Sequence, residues 1–249
     1  MLPPRLTIST GLLIMPLGGK HTLPGFERAL ESLRTDAALM GTLVSRSLTN
    51  AKLGFIEHDD DRCAAVIADD DEVDVLEMQI DRTGTDILMR YQPLAFDLRH
   101  VLATIKLGSH LEKLANQATI IARRVRWLNE GEKFEDGQSS VPIFEQAEKA
   151  LSEVLQAFLA VDSKFARQML DRMESLGQKA RDLEDEFCDA VAEHPTRSRW
   201  YVNLIAIGHS LERIAYLVES IAEEVIHMAE AKDVRHPGNP LTEGVESGR

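Results

Sequence analysis

Several features that mark other protein classes are scarce in this chain of 249 residues. Aromatic residues make up 5% of it, and no stretch alternates apolar and polar residues over the length of a β-strand. Glycine and proline are sparse between residues 26 and 230. These absences disfavour β-sandwiches and barrels and favour helices throughout that region.

Cysteine and long hydrophobic runs are also rare. The two cysteines, Cys63 and Cys188, form no Cys-x-x-Cys pair and no cluster with histidine, so the sequence offers no structural zinc site. Two isolated cysteines are typical of a protein from a reducing compartment. No apolar stretch approaches the roughly 18 to 20 residues that a membrane-spanning helix needs. We therefore expect a cytoplasmic protein.

The chain carries an excess of negative charge. It contains 41 Asp and Glu against 28 Lys and Arg, which gives a formal net charge of −13. Such a protein is repelled by phosphate backbones, because nonspecific nucleic-acid binding depends on Lys and Arg side chains that neutralise phosphates. The composition therefore disfavours nucleic acid as a partner and suits cations and basic protein surfaces.

The chain repeats itself residue by residue. After Pro93, apolar residues recur at gaps of four and three, as on the buried face of a helix: Leu107, Leu111, Leu114, Ala118, Ile121 and Val125. The same stripe recurs in the second half, one hundred residues later, as Ile207, Leu211, Ile214, Val218, Ile221 and Val225. Gly108 and Glu112 also match Gly208 and Glu212, which apolar periodicity alone does not explain.

Helix breakers divide each copy into three predicted helices, so we expect an all-α fold of two tandem three-helix bundles related by a pseudo-twofold repeat. The predicted parts are a flexible N-terminal extension (1–21), a first repeat (22–129), a polar linker (130–141), a second repeat (142–231) and a C-terminal tail (232–249). Within the repeats, helices are expected over about 24–56, 62–90, 93–129, 142–160, 162–193 and 197–230, with an acidic turn at 58–61.

Carboxylates line one side of the second predicted helix. Asp70, Asp74, Glu77 and Asp81 follow a four-three-four spacing, and Glu112 on the next helix is a candidate neighbour; we name these five residues the acidic ridge. Like charges at this spacing destabilise a helix by about 0.2–0.5 kcal/mol per pair. The ridge therefore either faces water or lies near a cation or a basic partner. Oxygen ligands from two helices are also a way to hold Mg²⁺, Mn²⁺ or iron.

Other chemistry-bearing residues show no catalytic pattern. The chain contains no nucleophile elbow and no P-loop, and its helix histidines are scattered along the sequence: His100, His110, His209 and His227. Gly108 and Gly208 are placed to permit close contact between helices. Trp127 and Trp200 are interpreted as packing anchors.

One run of residues is similar to a known signature. Residues 91–99, which read YQPLAFDLR, resemble the QP-x-x-x-DLR signature of the PhoU family of phosphate-transport regulators. Just upstream, that family has a D-x-x-V-x-x-x-E-x-x-x-D stretch, which this chain fits with Asp70, Val73, Glu77 and Asp81.

Further motifs of the same family follow in order. Residues 211–214 (LERI) fit its LERIGD-x-A stretch, and residues 111–118 follow that stretch loosely. Met40 and Gly41 match its early MG, and residues 232–236 (KDVRH) resemble its terminal G-x-D-V-R-H. The resemblance spans about residues 22–236 and includes both repeats.

The resemblance implies a protein that dimerises and contacts the ATPase of the phosphate transporter and a membrane-bound sensor histidine kinase, so that phosphate-starvation genes are repressed. Membranes are then reached only through these partners. The implied contact residues are Asp97 and Arg99 in the signature and Glu212 and Arg213 in the second repeat. A plainer interpretation of the first two stays open, since an Asp in the first turn favours the helix dipole and an Arg can pair with it.

The resemblance also implies a metal site, because family members are similar in carrying acidic E/D-x-x-x-D motifs that bind iron clusters or other divalent metals. In this chain the acidic ridge is the candidate. The chain departs from the family pattern where Asn116 and Tyr216 replace the aspartate after LERIG, and where Gly177 and Arg181 lie near the aspartates of the fifth helix. A tyrosine does not replace a hard carboxylate ligand at neutral pH. We therefore expect a weakened or absent site in the second repeat.

These observations together predict a PhoU-like regulator of phosphate uptake that acts through protein contacts and is not an enzyme. Two alternatives stay open. One is an accessory protein of another membrane transporter or channel. The other is a carboxylate di-metal protein, because such proteins also build their sites inside helical bundles.

Overall fold

Six long helices make up the computed structural model, which describes residues 24–131 and 136–234. In chain order they are α1 (Pro24–Glu57), α2 (Asp60–Tyr91), α3 (Ala95–Asn129), α4 (Val141–Ala160), α5 (Ser163–Glu193) and α6 (Ser198–Glu230). Short 3₁₀ turns at Asp136–Ser140 and Pro195–Arg197 precede α4 and α6, and the described residues contain no strand. The predicted all-α class, with three long helices in each half, is confirmed.

Three of the predicted segments lie wholly or partly outside the described residues. They are the N-terminal extension at 1–21, the middle of the linker at 132–135 and the tail from residue 235 onward. Their predicted boundaries stay predictions.

Local chemistry explains where the helices begin and end. The Asp59 carboxylate accepts hydrogen bonds from the backbone N–H groups of Asp61 and Arg62 at 2.9 and 3.1 Å, which satisfies donors that have no partner within α2. Helix α2 ends where Gln92 adopts a left-handed backbone with a φ of 47°. Helix α3 begins at Ala95 and not at the predicted Pro93, because Leu94 is extended and precedes the helix as its N-cap residue.

The predicted apolar stripes are the core. Every member of both stripes is buried, from Leu107 to Val125 on α3 and from Ile207 to Val225 on α6. The buried side chains of both repeats form one continuous cluster, so the two bundles share a core. None of the described helices is both long enough and apolar enough to cross a membrane.

Helices α3 and α6 join the two repeats and run antiparallel. Lys106 near the start of α3 pairs with Glu224 near the end of α6 at 2.9 Å, and Arg124 near the end of α3 donates to Asn203 near the start of α6 at 3.5 Å. The two matching helices therefore lie side by side and bury their matching stripes.

The glycine prediction is supported, and one of the two tryptophan predictions is wrong. A Cβ atom on Gly108 would lie 3.2 Å from Ile80 of α2, and one on Gly208 would lie 2.9 Å from Glu184 of α5, so both glycines permit close helix contact. Trp200 is buried, as a packing anchor should be, but Trp127 is 48% exposed. Its indole lies on the surface because position 127 is on the outer side of α3.

Candidate functional site

The centre of the acidic ridge brings carboxylates from two helices together. Partial burial raises the pKa of Glu77, and the neighbouring charges of Asp81, Glu112 and Asp74 raise it further. Glu112 of α3 therefore lies close enough to Glu77 of α2 to repel it, as the sequence predicted. Removing this repulsion requires a proton or a cation.

Asp70 lies at the other end of the ridge in different surroundings. Burial and the charge of Asp74 raise its pKa, while a hydrogen bond from Thr119 and the charge of Arg123 act against that shift. Asp70 therefore already has a neutral donor and a basic group nearby. No three ridge carboxylates bring oxygen atoms within 4.8 Å of one another in the described chain, so the ridge does not form a closed ligand set.

Asn116, which stands where the PhoU pattern has an aspartate, binds a ridge residue directly. Its Nδ2 donates to Oε1 of Glu112 at 2.6 Å. The amide removes one negative charge from the ridge and fixes the orientation of Glu112. Glu77, Asp81 and Glu112 lie near enough for their charges to interact, although their oxygens are not gathered into one ligand set.

The second repeat places a cation of its own at the corresponding point. The buried positions of α2 recur on α5 one hundred residues later, as Leu76 and Leu176 or Ile80 and Ala180 show. Arg181 therefore stands where the first repeat has Asp81. The Arg181 guanidinium donates to Glu212 at 2.7 Å and to Gln178 at 2.8 Å. The weak or absent second metal site stays a prediction, and this ion pair provides a physical reason for it.

A three-residue cluster beside this ion pair was not predicted. His209 Nδ1 lies 3.8 Å from Glu184 Oε1 and 3.6 Å from Glu212 Oε2. Among the described residues, it is the one set of three His, Cys, Asp or Glu side chains whose possible ligand atoms all lie within 4.8 Å of one another. Burial raises the pKa of Glu184; the charge of His209 acts to lower it, and the charge of Glu212 acts to raise it. A metal bound here would compete with Arg181 for Glu212.

Sequence reasoning missed this cluster because its members lie on two helices. The only local signal was the His-x-x-Glu spacing of His209 and Glu212, which places both side chains on one face of α6. Glu184 comes from α5, and only the packing of α5 on α6 brings it near. Glu224 and His227 also have the Glu-x-x-His spacing of di-metal proteins, but Glu224 is held by Lys106.

The predicted contact residues of the first repeat have roles within the fold. Arg99 Nε donates to the backbone carbonyl of Met228 at 3.0 Å, near the end of α6 where carbonyls lack helical partners. Arg99 thereby ties the two repeats together. Asp97 lies in the first turn of α3, as the plainer interpretation had it. Partner binding by Asp97 and Arg99 stays a prediction.

The predicted contact residues of the second repeat differ in availability. Glu212 is held by Arg181. Arg213 is exposed, and its guanidinium carbon lies 5.2 Å from the centroid of the Tyr216 ring. Tyr216 is 55% exposed, so this pair lies open to a partner. Burial and the charge of Glu174 raise the pKa of the neighbouring Glu219.

Comparison with known proteins finds matches to both repeats. The PhoU domain model matches residues 37–125 and 142–225, one match in each repeat. The phosphate-specific transport system accessory protein PhoU homolog of Pseudomonas aeruginosa is 30% identical over 92% of this chain and 96% of its own length. The accessory protein PhoU of Escherichia coli is 27% identical over 92% of this chain and 95% of its own.

Solved structures agree with these matches. The crystal structure of PhoU from Pseudomonas aeruginosa superposes with a TM-score of 0.81 at 29% identity, covering 83% of this chain and all of that one (100%). The PhoU structure from Streptococcus pneumoniae superposes with a TM-score of 0.77 at 21% identity and supports the fold alone. With both repeats matched and relatives aligned over nearly the full length, the chain belongs to the PhoU family.

Proposed function

We propose that this protein is an accessory regulator of phosphate uptake and phosphate-starvation signalling that acts in the cytoplasm. It works by binding the ATPase of a phosphate transporter, a sensor histidine kinase, or both. The observation that supports this most directly is the alignment of both repeats with relatives named as accessory proteins of the phosphate-specific transport system, over 92% of this chain. The chemistry of such a regulator is the formation and release of protein contacts.

Deletion of the gene in its host tests the regulatory role. We expect a reporter of phosphate-starvation genes to rise in phosphate-rich medium and to return to its low level when the gene is restored. Restoration with Leu211→Asp, which places a charge in the core, should fail, whereas Val75→Asp at an exposed position should succeed. A reporter that stays low in the deletion strain contradicts the proposal.

Direct binding tests the mechanism. The purified protein is titrated against the purified transporter ATPase and against the detergent-solubilised sensor kinase from the same organism. Binding to at least one of them is expected. Binding only to the components of an unrelated transporter or channel would instead support the alternative accessory role.

We also propose that the centre of the acidic ridge holds a divalent metal with oxygen ligands. The mutual repulsion of Glu77, Asp81 and Glu112 supports this, because a bound cation would relieve it. Elemental analysis of tag-free protein should find metal that is lost when these three residues are changed to Ala. A matched control changes Glu31, Asp71 and Glu72, three exposed acidic residues outside the ridge, to Ala and should keep the metal.

Dimer formation is part of the proposal. Size-exclusion chromatography with light scattering should give twice the mass of 27.8 kDa. A monomer at micromolar concentration contradicts this part and leaves the regulatory role to be judged by the binding experiment.

A further inference from the structure

The outward side of the seam between α3 and α6 has a composition unlike the rest of the molecule. Between Leu102 and Trp127 on α3 and between Arg199 and Tyr216 on α6, the exposed side chains are basic, apolar, aromatic or histidine. The two carboxylates in these stretches, Glu112 and Glu212, are half-buried. We name this surface the α3–α6 face.

Positive charge is concentrated there, although the chain as a whole carries −13. The basic groups that carry the argument are exposed: Lys113, Arg124, Arg199 and Arg213. None of these four side chains forms an ion pair with a described residue, although Arg124 donates to the Asn203 amide oxygen, whereas Lys106 on the same face pairs with Glu224. These guanidinium and ammonium groups are therefore available to an outside partner.

Aromatic and apolar side chains lie among these charges. The Arg199 guanidinium carbon is 4.1 Å from the centroid of the Trp127 ring, and Val202, one turn further along α6, is 54% exposed. Tyr216 lies at the other end of the face and lines a groove of about 620 Å³, where Lys106 and Lys113 are balanced by Glu219, Glu223 and Glu224. The unbalanced positive charge therefore lies at the Trp127 end. Tryptophan, tyrosine and arginine are the residues that contribute most binding energy at protein interfaces.

The local charge favours an acidic protein surface as the partner over an extended polyanion such as a membrane or a nucleic acid. At physiological salt, charges are screened over about 8 Å, so a compact acidic segment that covers the Trp127 end of the face meets mainly Arg124 and Arg199. A membrane or a nucleic-acid duplex extends beyond the face and also meets the acidic remainder of the molecule. Stacked Trp127 and Arg199 provide an apolar contact that a partner side chain can cover.

We propose that the α3–α6 face is the docking surface for the protein partner of this regulator, through an acidic surface of that partner that also presents apolar groups. The proposal rests on the proposed function, because it locates the contact that this function requires. The predicted contact residue Arg213 lies on the face, whereas Arg99 and Glu212 are engaged within the fold.

Affinity measurements with full-length variants test the proposal. The face variants are Trp127→Ala and Arg124→Glu with Arg199→Glu, and the control is Arg82→Glu with Arg90→Glu, which makes the same charge change on exposed positions of α2. All are titrated against the purified transporter ATPase, the solubilised sensor kinase and vesicles of phosphatidylglycerol. Because the changed residues are exposed, thermal melting should show that every variant stays folded.

We expect each face variant to bind its protein partner about tenfold or more weakly than wild type, since interface tryptophan and arginine residues reach this effect when changed. The control should bind like wild type, and only the face variants should lose salt dependence. Equal binding by wild type and face variants overturns this proposal and leaves the proposed function intact. If wild type binds neither protein, both this proposal and the proposed function are overturned. If the face variants lose binding to vesicles alone, the proposal of a protein partner is overturned.

Discussion

Arg181 donates a hydrogen bond to Glu212 at 2.7 Å and so places a fixed positive charge where the first repeat has the carboxylate of Asp81. The two repeats share a fold and a core but differ in electrostatics at this point. The first repeat has repelling carboxylates that favour a cation, and the second has a cation built into the chain. This difference has consequences that can be measured.

Replacing the built-in cation should make the second repeat able to bind metal. In Arg181→Glu, the carboxylates at positions 181, 184 and 212 lie beside His209, a set that suits divalent transition metals. Titration calorimetry with Mn²⁺ or Zn²⁺ should show about one additional site per chain compared with wild type. The control Arg172→Glu, which removes an exposed ion pair with Glu153, should show no additional site.

Glu77 should make the metal-free protein less stable as the pH rises. The pKa of Glu77 is higher in the folded protein than in the unfolded chain. Its favourable contribution to the free energy of unfolding is therefore complete below the unfolded pKa and is lost as the pH rises through the folded pKa. Glu77→Gln, measured in chelator, should therefore raise Tm at pH 8 by about 1 to 2 °C and have little effect near pH 4. Glu72→Gln, at an exposed position outside the ridge, serves as control. A Tm gain that is equal at both pH values would refute the assignment.

His100 should make the protein less stable as the pH falls. Burial, together with the charge of Arg34, lowers its pKa to about 4. The unfolded chain therefore takes up a proton near pH 6.5 that the folded protein does not bind. Its contribution to stability is full above the unfolded pKa and is lost as the pH falls toward about 4, by as much as about 3 kcal/mol. Urea unfolding between pH 7 and 4.5 should show a shallower loss for His100→Leu than for wild type. The exposed His194→Leu should follow wild type.

The ion pair of Lys106 and Glu224 should matter more than pairs at the surface. The Glu224 side chain is 8% exposed and accepts from Lys106 at 2.9 and 3.1 Å. Lys106→Ala leaves this carboxylate without its partner and should cost about 1 to 3 kcal/mol in the free energy of unfolding. The double variant Lys106→Ala with Glu224→Gln should regain part of that loss.

The control for this pair is the exposed bridge between Arg167 and Glu230. Arg167→Ala should cost less than about 1 kcal/mol, as measured for surface pairs. Equal costs for Lys106→Ala and Arg167→Ala in urea unfolding would contradict the importance of the buried carboxylate.

The two cysteines should differ sharply in reactivity. Cys188 is exposed, whereas Cys63 is buried. Burial, with the charges of Asp60 and Asp59, raises the pKa of Cys63 to about 11. Because the thiolate is the reactive form, a thiol reagent at pH 7.5 should modify one cysteine in the folded protein and two after unfolding. Cys188→Ser should abolish the fast reaction, and a reaction that persists in this variant would contradict the burial of Cys63.

The helices could be predicted because their signals are local. Pro24 and the residues around Asp59 mark helix starts, and the stripes from Leu107 and from Ile207 have helical periodicity that depends only on neighbours three or four residues apart. The α3 start was placed too early, since the extended Leu94 that follows Pro93 has no sequence signal of its own.

Candidate sites could be predicted only in part, for the same reason. The carboxylates at positions 70, 74, 77 and 81 lie on one helix, so their spacing placed them together. Glu184 and His209 lie on different helices, and no spacing rule connects them. Trp127 was wrongly interpreted as buried, because a stripe of apolar residues does not say which large side chains lie beside it at the surface.

The sequence by itself determined the number of helices, the repeat, the acidic ridge and the net negative charge. Tertiary structure decided that α3 and α6 run antiparallel and share one core, that Arg181 neutralises Glu212, and that basic and aromatic side chains gather on one face. The physical reason is the distance along the chain over which each signal acts. Helical periodicity is a property of a single helix, whereas contacts between helices depend on the rotation and register that side-chain packing selects.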